Sequence, residues 1–209
     1  MPKKHSAKKI KAVLFDLGKV ILHFDFTPAF GRLSSACPMS PSQIKDYFRR
    51  SGLEVLYDGG KISSKKFYFE AKKGLRHDLS FEKFKSVWNR IFRPNFEIVS
   101  LIRQLKKNRT RLVLVSNTNP MHFEYILKRY SILGHFEKHV LSYKEKVRKP
   151  DIRIYRTAIR ACRAKPHEIF YIDDRSDLTQ AAEEIGLHTF TYKNNPGDLM
   201  KRMKQLEIL

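Results

Sequence analysis

The sequence is poor in the residues that would mark a disulfide scaffold, a membrane span or a disordered chain. It has only two cysteines in 209 residues, Cys37 and Cys162, which lie far apart and match no metal-ligand spacing. This argues against a disulfide framework or a cysteine-based zinc site, and it is typical of a reducing compartment. No apolar run approaches the ~18 residues that a membrane span needs. Nine glycines and nine prolines are too few for a disordered chain. We therefore expect a globular cytoplasmic protein without a membrane partner.

Acidic residues are also scarce, since 21 Asp and Glu stand against 42 Lys and Arg, for a formal charge of +21. Such a positive field attracts phosphorylated ligands or nucleic acid. The basic residues are scattered, however, and their short clusters at 3–11, 106–111 and 144–149 are not interleaved with aromatic side chains. A solvated basic surface is the simpler interpretation. A nucleic-acid partner stays possible but is not favoured.

The amino-terminal segment is basic and precedes an apolar run, as in a signal peptide. Asp16 and Lys19 interrupt that run, and no small-residue cleavage pattern follows it, so we do not expect export. Residues 1–9 are predicted to form a disordered basic tail.

Short apolar runs alternate with helix-period segments along much of the chain. The near-continuous apolarity of the runs is typical of strands that are covered on both faces, as in a parallel sheet. Helical periodicity occupies the segments 95–108, 149–164 and 176–187. The predicted strands are 11–16, 111–116, 139–142, 168–173 and 188–192. This alternation predicts an α/β fold with a Rossmann-like, doubly wound parallel sheet.

Residues 28–93 differ from this pattern, because they contain no convincing strand. Helical segments are predicted within 40–52, 62–75 and 80–92, the last capped by Ser80. We therefore predict a core formed by residues 1–27 and 94–209, with a small helical domain, residues 28–93, inserted after the first strand.

Polar side chains follow the predicted core strands, in order, at the point where each strand ends. Open parallel sheets bind ligands beyond the carboxyl ends of their strands, so these side chains are expected to converge. Each alone is weak evidence, since a strand-end aspartate is often only a helix cap. Two adjacent acids are more informative, because like charges repel unless a cation or a lysine balances them. The candidates are Asp16, Ser116, Asn117, Lys149, Asp173 and Asp174.

The order of these segments resembles the four motifs of the haloacid dehalogenase superfamily. The segments are FDLGKVI (15–21), LVLVSNTN (112–119), RKPDIRIY (148–155) and FYIDDRSDLTQAAEEIGLHTF (170–190). The helical insertion is similar to the small helical cap of that superfamily. Within it, the pattern is most similar to a bacterial sugar-phosphate phosphatase branch that acts on glucose 1-phosphate, including DGGKISSKKF (58–67) in the cap.

The resemblance implies an enzyme that transfers a phosphoryl group. Asp16 would be the nucleophile and would form an aspartyl-phosphate, while Ser116 and the Asn117 backbone would bind phosphoryl oxygens. Lys149 would neutralise the charge of the nucleophile and the transferring group.

The resemblance also implies a Mg²⁺ cofactor, held by the Asp16 carboxylate, the Gly18 carbonyl and Asp174. Asp173 would orient a metal-bound water or Lys149. Dehalogenases of the superfamily use no metal and lack the paired acids, so Asp173 and Asp174 favour a phosphatase.

The expected function is therefore hydrolysis of a small phosphorylated metabolite, with a sugar phosphate as the first candidate. A nucleotide phosphatase fits the same residues. The alternative from another class is a catalytically weak binding protein with a phosphorylated or nucleic-acid partner.

The sequence departs from the superfamily pattern at two neighbouring positions. Most phosphatases of the superfamily have an aspartate where Gly18 stands, and that aspartate serves as the general acid. Lys19 replaces a small or amide residue, and we expect it to add affinity for an anionic substrate. His23 and Asp25 are nearby substitutes for the acid, although a hinge role suits both better. Asp177 stands where asparagine is common, and Arg32, Tyr57 and Asp58 are cap residues that can face the substrate.

Overall fold

The computed structural model describes residues 9–209. The predicted tail, residues 1–9, lies outside this range except for its last residue. Among the described residues, no helix combines the length and the apolar character that a membrane crossing requires.

The described chain forms seven strands and eleven α-helices. The strands are β1 (Ala12–Phe15), β2 (Leu22–Phe24), β3 (Phe92–Pro94), β4 (Arg111–Ser116), β5 (Lys138–Leu141), β6 (Ile169–Asp173) and β7 (His188–Thr191). The helices are α1 (Thr27–Ser34), α2 (Pro41–Ser51), α3 (Leu53–Asp58), α4 (Ser64–Leu75), α5 (Phe81–Asn89), α6 (Phe96–Lys107), α7 (Pro120–Arg129), α8 (Ser142–Glu145), α9 (Ile152–Cys162), α10 (Ser176–Glu183) and α11 (Pro196–Gln205).

Five of the strands form one sheet in the order β5-β4-β1-β6-β7, and all neighbouring pairs are parallel. Successive residues of a strand point to opposite sides of the sheet, and helices cover both sides. In β1, Val13 and Phe15 join one buried cluster, whereas Ala12 and Leu14 join another. The predicted α/β fold with a doubly wound parallel sheet is confirmed. β1 lies at its centre, which places the residue after β1 in the middle of the carboxyl edge.

The chain between β2 and β3 consists of helices α1 to α5. Ser40, Ser63 and Ser80 cap α2, α4 and α5 by accepting backbone N–H groups, and this satisfies donors that the first turn leaves free. The prediction that Ser80 caps a helix is confirmed. The helices enclose their own aromatic cluster, which contains Phe30, Phe48, Phe67, Phe84 and Trp88. The division at residues 27/28 and 93/94 stays a prediction.

A second, two-stranded sheet joins the helical insertion to the rest of the chain. β2 pairs antiparallel with β3, and Phe24 lies opposite Phe92. The expectation that residues 28–93 contain no strand is wrong at its end, because β3 begins at Phe92. Both strands have only three residues and are partly exposed, so neither shows the apolar run that marks a strand in sequence.

Candidate active site

The carboxyl edge of the parallel sheet gathers the predicted polar residues. Asp16 follows β1, Ser116 ends β4 and Asp173 ends β6, while Lys149 comes from the loop before α9. These four residues are buried, and Asp174 is half-buried beside them. Because the strands are parallel and adjacent, their ends meet in one place.

Lys149 is the centre of a buried hydrogen-bonded cluster. Its Nζ atom donates to Asp16 Oδ1 at 2.6 Å, to Asp173 Oδ2 at 2.6 Å and to the Val115 carbonyl at 3.1 Å. It also lies 3.2 Å from the Tyr171 hydroxyl, which donates to Asp173 Oδ2. A buried charge is tolerated only when it is paired and hydrogen-bonded, and the Lys149 ammonium meets both conditions.

The acids of this cluster outnumber its buried cation. Carboxylate oxygens of Asp16, Asp173 and Asp174 all lie within 4.8 Å of one another. Burial raises the pKa of Asp16 to about 7, with Lys149 opposing and the two other acids adding to the rise. Burial and Asp173 also raise the pKa of Asp174. Burial by itself would lower the pKa of Lys149, but Asp16 and Asp173 raise it above its ordinary value.

This arrangement suits a hard divalent cation. Mg²⁺ prefers carboxylate and carbonyl oxygens and retains several waters, and a cluster of three acids with one lysine has negative charge left to neutralise. Asp16 and Asp174 are the acids that a cation can reach, because the Asp173 carboxylate already accepts hydrogen bonds from Lys149, Tyr171 and the Arg175 backbone. The donor set therefore fits Mg²⁺.

Asn117 holds the loop that carries Lys149. Its side-chain amide donates to the Lys149 carbonyl at 3.0 Å and accepts from the Lys149 N–H at 2.8 Å. This double hydrogen bond fixes the backbone of Lys149 and so directs its ammonium group toward Asp16. Ser116 is buried, and it lines a cavity beside Asp16.

A side chain at position 18, in the turn after Asp16, would require the Phe24 ring to shift. A Cβ atom on Gly18 would lie 2.9 Å from Cε1 of Phe24, so the Phe24 ring fills the space that a side chain at position 18 would enter. Lys19 has a φ of 58°, and its Nζ lies 3.9 Å from Asp174 Oδ2. The lysine thus adds positive charge at the exposed side of the acid cluster.

Two openings at this edge are lined by both Gly18 and Phe24. One holds the acid cluster, has a volume of about 290 Å³ and is also lined by Lys19, Arg148 and Arg175. The other is a cavity of about 150 Å³ next to Ser116. Its wall joins the core to the helical insertion and includes Leu17, Gly18, Phe24, Phe26, Glu54, Asp58, Phe92, Ser116, Asn117 and His122.

Comparison with known families shows which family the chain belongs to. The sequence model described as haloacid dehalogenase-like hydrolase matches residues 10–186 of the chain. The chain belongs to the haloacid dehalogenase-like hydrolases.

Solved structures share the fold of this chain, and a curated relative is similar to it in sequence. A haloacid dehalogenase family enzyme from Bacteroides thetaiotaomicron superposes with a TM-score of 0.83 at 24% identity, over 93% of this chain and all of that chain. Its complex with magnesium and inorganic phosphate gives a TM-score of 0.79 at 25% identity, over 88% of this chain and 94% of that chain. An (S)-2-haloacid dehalogenase from Pseudomonas sp. (strain YL) is 24% identical over 207 residues, which cover 94% of this chain and 88% of the relative.

Several candidates of the hydrolase lie away from the acid cluster. Asp177 is exposed and forms an ion pair with Arg175 at 2.5 Å. His23 lies in β2 opposite Arg93, and Asp25 accepts the Thr27 N–H before α1.

Of the three candidates from the helical insertion, one is placed at the cavity. Arg32 is exposed on α1. The Tyr57 hydroxyl is hydrogen-bonded to Ser64 in the helical insertion and accepts the Met121 N–H of α7. Asp58 does face the cavity, where it accepts a hydrogen bond from Asn119 at 3.0 Å.

Tyr171 and Glu54 are among the side chains that the sequence interpretation missed. Tyr171 could have been found, because it precedes Asp173 by two residues in a strand and therefore points to the same side of the sheet. Glu54 had no such signal, since only the packing of α3 brings it to the cavity.

Proposed function

We propose that this hydrolase is a Mg²⁺-dependent phosphatase that cleaves a small phosphorylated metabolite through an aspartyl-phosphate at Asp16. The observation that carries the proposal is the cluster of Asp16, Asp173 and Asp174 around Lys149, with three acids and one buried lysine. The complex of the Bacteroides thetaiotaomicron enzyme with magnesium and inorganic phosphate supports it.

In the first half of the reaction, a carboxylate oxygen of Asp16 attacks phosphorus and displaces the leaving oxygen. Lys149 holds Asp16 in place and keeps positive charge beside the reacting group. Ser116 and Asn117 line the cavity where the phosphoryl oxygens would lie. Asp16, Asp174 and the Gly18 carbonyl would hold Mg²⁺. The bound ion would supply further positive charge beside the transferring phosphoryl group.

In the second half, water attacks phosphorus and releases phosphate from Asp16. Phosphoryl transfer depends mostly on positioning and charge stabilisation, and the buried edge of the sheet provides both. The helical insertion covers the cavity and limits the entry of bulk water.

The cavity supports a small substrate. Its volume of about 150 Å³ leaves room for little beyond a phosphoryl group and part of a sugar-sized leaving group. Phe24, Phe26 and Phe92 offer aromatic faces that can pack against the C–H groups of a sugar ring. A sugar phosphate such as glucose 1-phosphate is therefore our first candidate, in line with the motif pattern. An anomeric leaving oxygen also needs less help from an acid than an ordinary alcohol does.

The related dehalogenase from Pseudomonas sp. makes halide release the second activity to test. The acid cluster favours the phosphatase, because a reaction without a metal has no evident need for Asp174 beside Asp173. A nucleic-acid or other phosphorylated partner stays a prediction from the charge of +21.

The test is release of inorganic phosphate from p-nitrophenyl phosphate and a panel of sugar phosphates and nucleotides, with Mg²⁺ or with EDTA. Wild type is compared with Asp16→Asn and with Asp78→Asn, which changes an exposed acid in the helical insertion. We expect Mg²⁺-dependent turnover that Asp16→Asn abolishes and Asp78→Asn leaves intact. Chloride release from 2-chloropropionate, or no turnover above Asp16→Asn on any ester, would overturn the proposal. Salt-dependent binding of RNA would then be measured.

A further inference from the structure

The leaving oxygen of a phosphate ester needs a proton, and the residues around the cavity differ in their capacity to give one. Gly18 has no side chain, and the Phe24 ring occupies the space beside it. His122 is buried, its Nδ1 is 3.0 Å from Asn89 Oδ1, and burial lowers its pKa to about 3, so it is neutral. Asp58 accepts from Asn119 and lies 4.0 Å from an Arg148 nitrogen.

Glu54 is the remaining acid of this cavity. It lies in the first turn of α3 and is half-buried. Its carboxyl group makes neither a hydrogen bond nor an ion pair with any other residue of the stretch 9–209, in contrast to Asp58. Glu54 lines the cavity that also contains Gly18 and Ser116, and it lines the adjoining groove of about 630 Å³ between the insertion and Lys19. Glu54 therefore lies where the cavity next to Ser116 meets the open groove.

We propose that Glu54 is the acid that protonates the leaving oxygen and the base that then activates water. This inference rests on the proposed phosphatase function. In the first half-reaction the bond from Asp16 oxygen to phosphorus forms, and the bond from phosphorus to the leaving oxygen breaks. The leaving oxygen keeps the electron pair and takes the proton of Glu54. In the second half, the Glu54 carboxylate takes a proton from water, the water oxygen bonds to phosphorus, and the Asp16 bond breaks.

The charges around Glu54 suit this role. Burial raises the pKa of Glu54 to about 7, Asp58 one helical turn later adds to the rise, and Arg148 opposes it. His122 faces the same cavity as a neutral ring. The other charged residues that line the groove are all exposed to solvent: Lys19, Asp25, Lys45 and Arg49. A carboxyl group with such a pKa holds its proton below about pH 7 and releases it above, so it can act as an acid and then as a base near neutrality.

The proposal predicts that Glu54 matters most when the leaving group is poor. The test compares phenyl phosphate with p-nitrophenyl phosphate in the Mg²⁺-bound enzyme, because nitrophenol leaves readily without a proton. Losing a general acid costs about 10²–10⁴-fold. We expect Glu54→Gln to lower kcat/KM for phenyl phosphate by about 10²-fold and for p-nitrophenyl phosphate by less than about threefold. Glu54→Asp should recover part of the loss, and the alkaline decline of kcat/KM for phenyl phosphate should disappear in Glu54→Gln.

Glu82→Gln is the matched control, because Glu82 is an exposed acid in the first turn of another helix of the insertion, α5. It should leave both substrates unaffected, and circular dichroism should show that all variants are folded. Equal losses on both esters would assign Glu54 to binding or packing and overturn the proposal, as would no loss on either. Failure of the phosphatase function itself has a different signature, since wild type would then be no more active than Asp16→Asn.

Discussion

The acid cluster predicts that the substitution Asp16→Asn stabilises the metal-free protein. Burial and the neighbouring acids raise the pKa of Asp16 from 3.8 to about 7. Below pH 3.8 the carboxyl is protonated in both the folded and the unfolded chain, so it costs nothing. As the pH rises toward 7, the unfolded chain releases this proton while the folded chain retains it, and folding loses stability. Above pH 7 the deficit is constant. The variant Asp16→Asn has no carboxyl group to ionise at this position, so it does not lose this stability.

The magnitude follows from the distance between the two pKa values. At about 1.36 kcal/mol for each pH unit, the deficit in the wild type reaches on the order of 4 kcal/mol above pH 7. The variant gives up the ion pair of Asp16 with Lys149, but Lys149 retains Asp173 at 2.6 Å. We therefore expect Asp16→Asn to be more stable than the wild type by about 2–4 kcal/mol at pH 8 in EDTA, and to show little advantage near pH 4.

The assay is urea unfolding from pH 4 to pH 8.5 in EDTA, followed by circular dichroism and by the fluorescence of Trp88, the single tryptophan. Taking the difference between variant and wild type at each pH cancels the titrating groups that do not interact with Asp16. Asp78→Asn is the control, since an exposed acid should give a difference near zero at every pH. Saturating Mg²⁺ should narrow the gap, because an ion at 100 times its Kd stabilises the wild type by about 2.7 kcal/mol.

The outcome that would refute this reasoning is a variant less stable than the wild type at pH 8 in EDTA. A stability difference that does not change with pH would also refute it, because the deficit would then not arise from ionisation of Asp16.

Two further substitutions test the charges around this cluster. Lys149→Met leaves buried acids without their cation, so it should abolish turnover and cost about 3–5 kcal/mol in urea unfolding with EDTA; unchanged stability would show that the ion pairs with Asp16 and Asp173 contribute nothing. Lys19→Asn should raise KM for a phosphate ester a few-fold with little change in kcat, and less so at high salt, because the Lys19 ammonium is exposed and lies 3.9 Å from Asp174. A lower KM in Lys19→Asn would show instead that the lysine hinders the substrate.

The parallel sheet could be predicted from sequence because its strands are short apolar runs with the polar site residues at their ends. The predicted strand 111–116 coincides with β4, and the other four differ from the structure by one residue at one or both ends. The predicted segment for the amphipathic helix α6 differs from the structure by one residue at each end, and that for α9 differs by three residues at the start and two at the end. Their apolar faces pack on the sheet, so the helical period is visible in sequence.

Several of the elements that were missed have a weak local signal, although α7 and α11 were missed despite their ten residues each. β2 and β3 have three residues each, and they exist because they pair with each other. α3 has six residues and begins directly after Gly52, whose φ of 66° ends α2. Such elements depend on tertiary contacts rather than on a periodic pattern.

In the candidate site, too, some positions follow from the sequence pattern and others depend on tertiary contacts. Strand ends place Asp16, Ser116 and Asp173 together, and this follows from the order of parallel strands alone. The role of Glu54 could not be anticipated, because its position depends on how the helical insertion packs over the sheet. The filling of the space beside Gly18 by Phe24 likewise requires the pairing of β2 with β3.

That short antiparallel pair has a consequence for how new specificities can arise in such a protein. Because β2 and β3 run side by side, the helical insertion begins and ends at neighbouring points. The residues between these two strands can therefore be exchanged as a unit. Replacing residues 25–91 as one unit would change the groove and Glu54, while Asp16, Lys149, Asp173 and Asp174 keep their places. An exchange at two points that are far apart in the gene but neighbours in the fold can thus alter the groove without redesign of the parallel sheet.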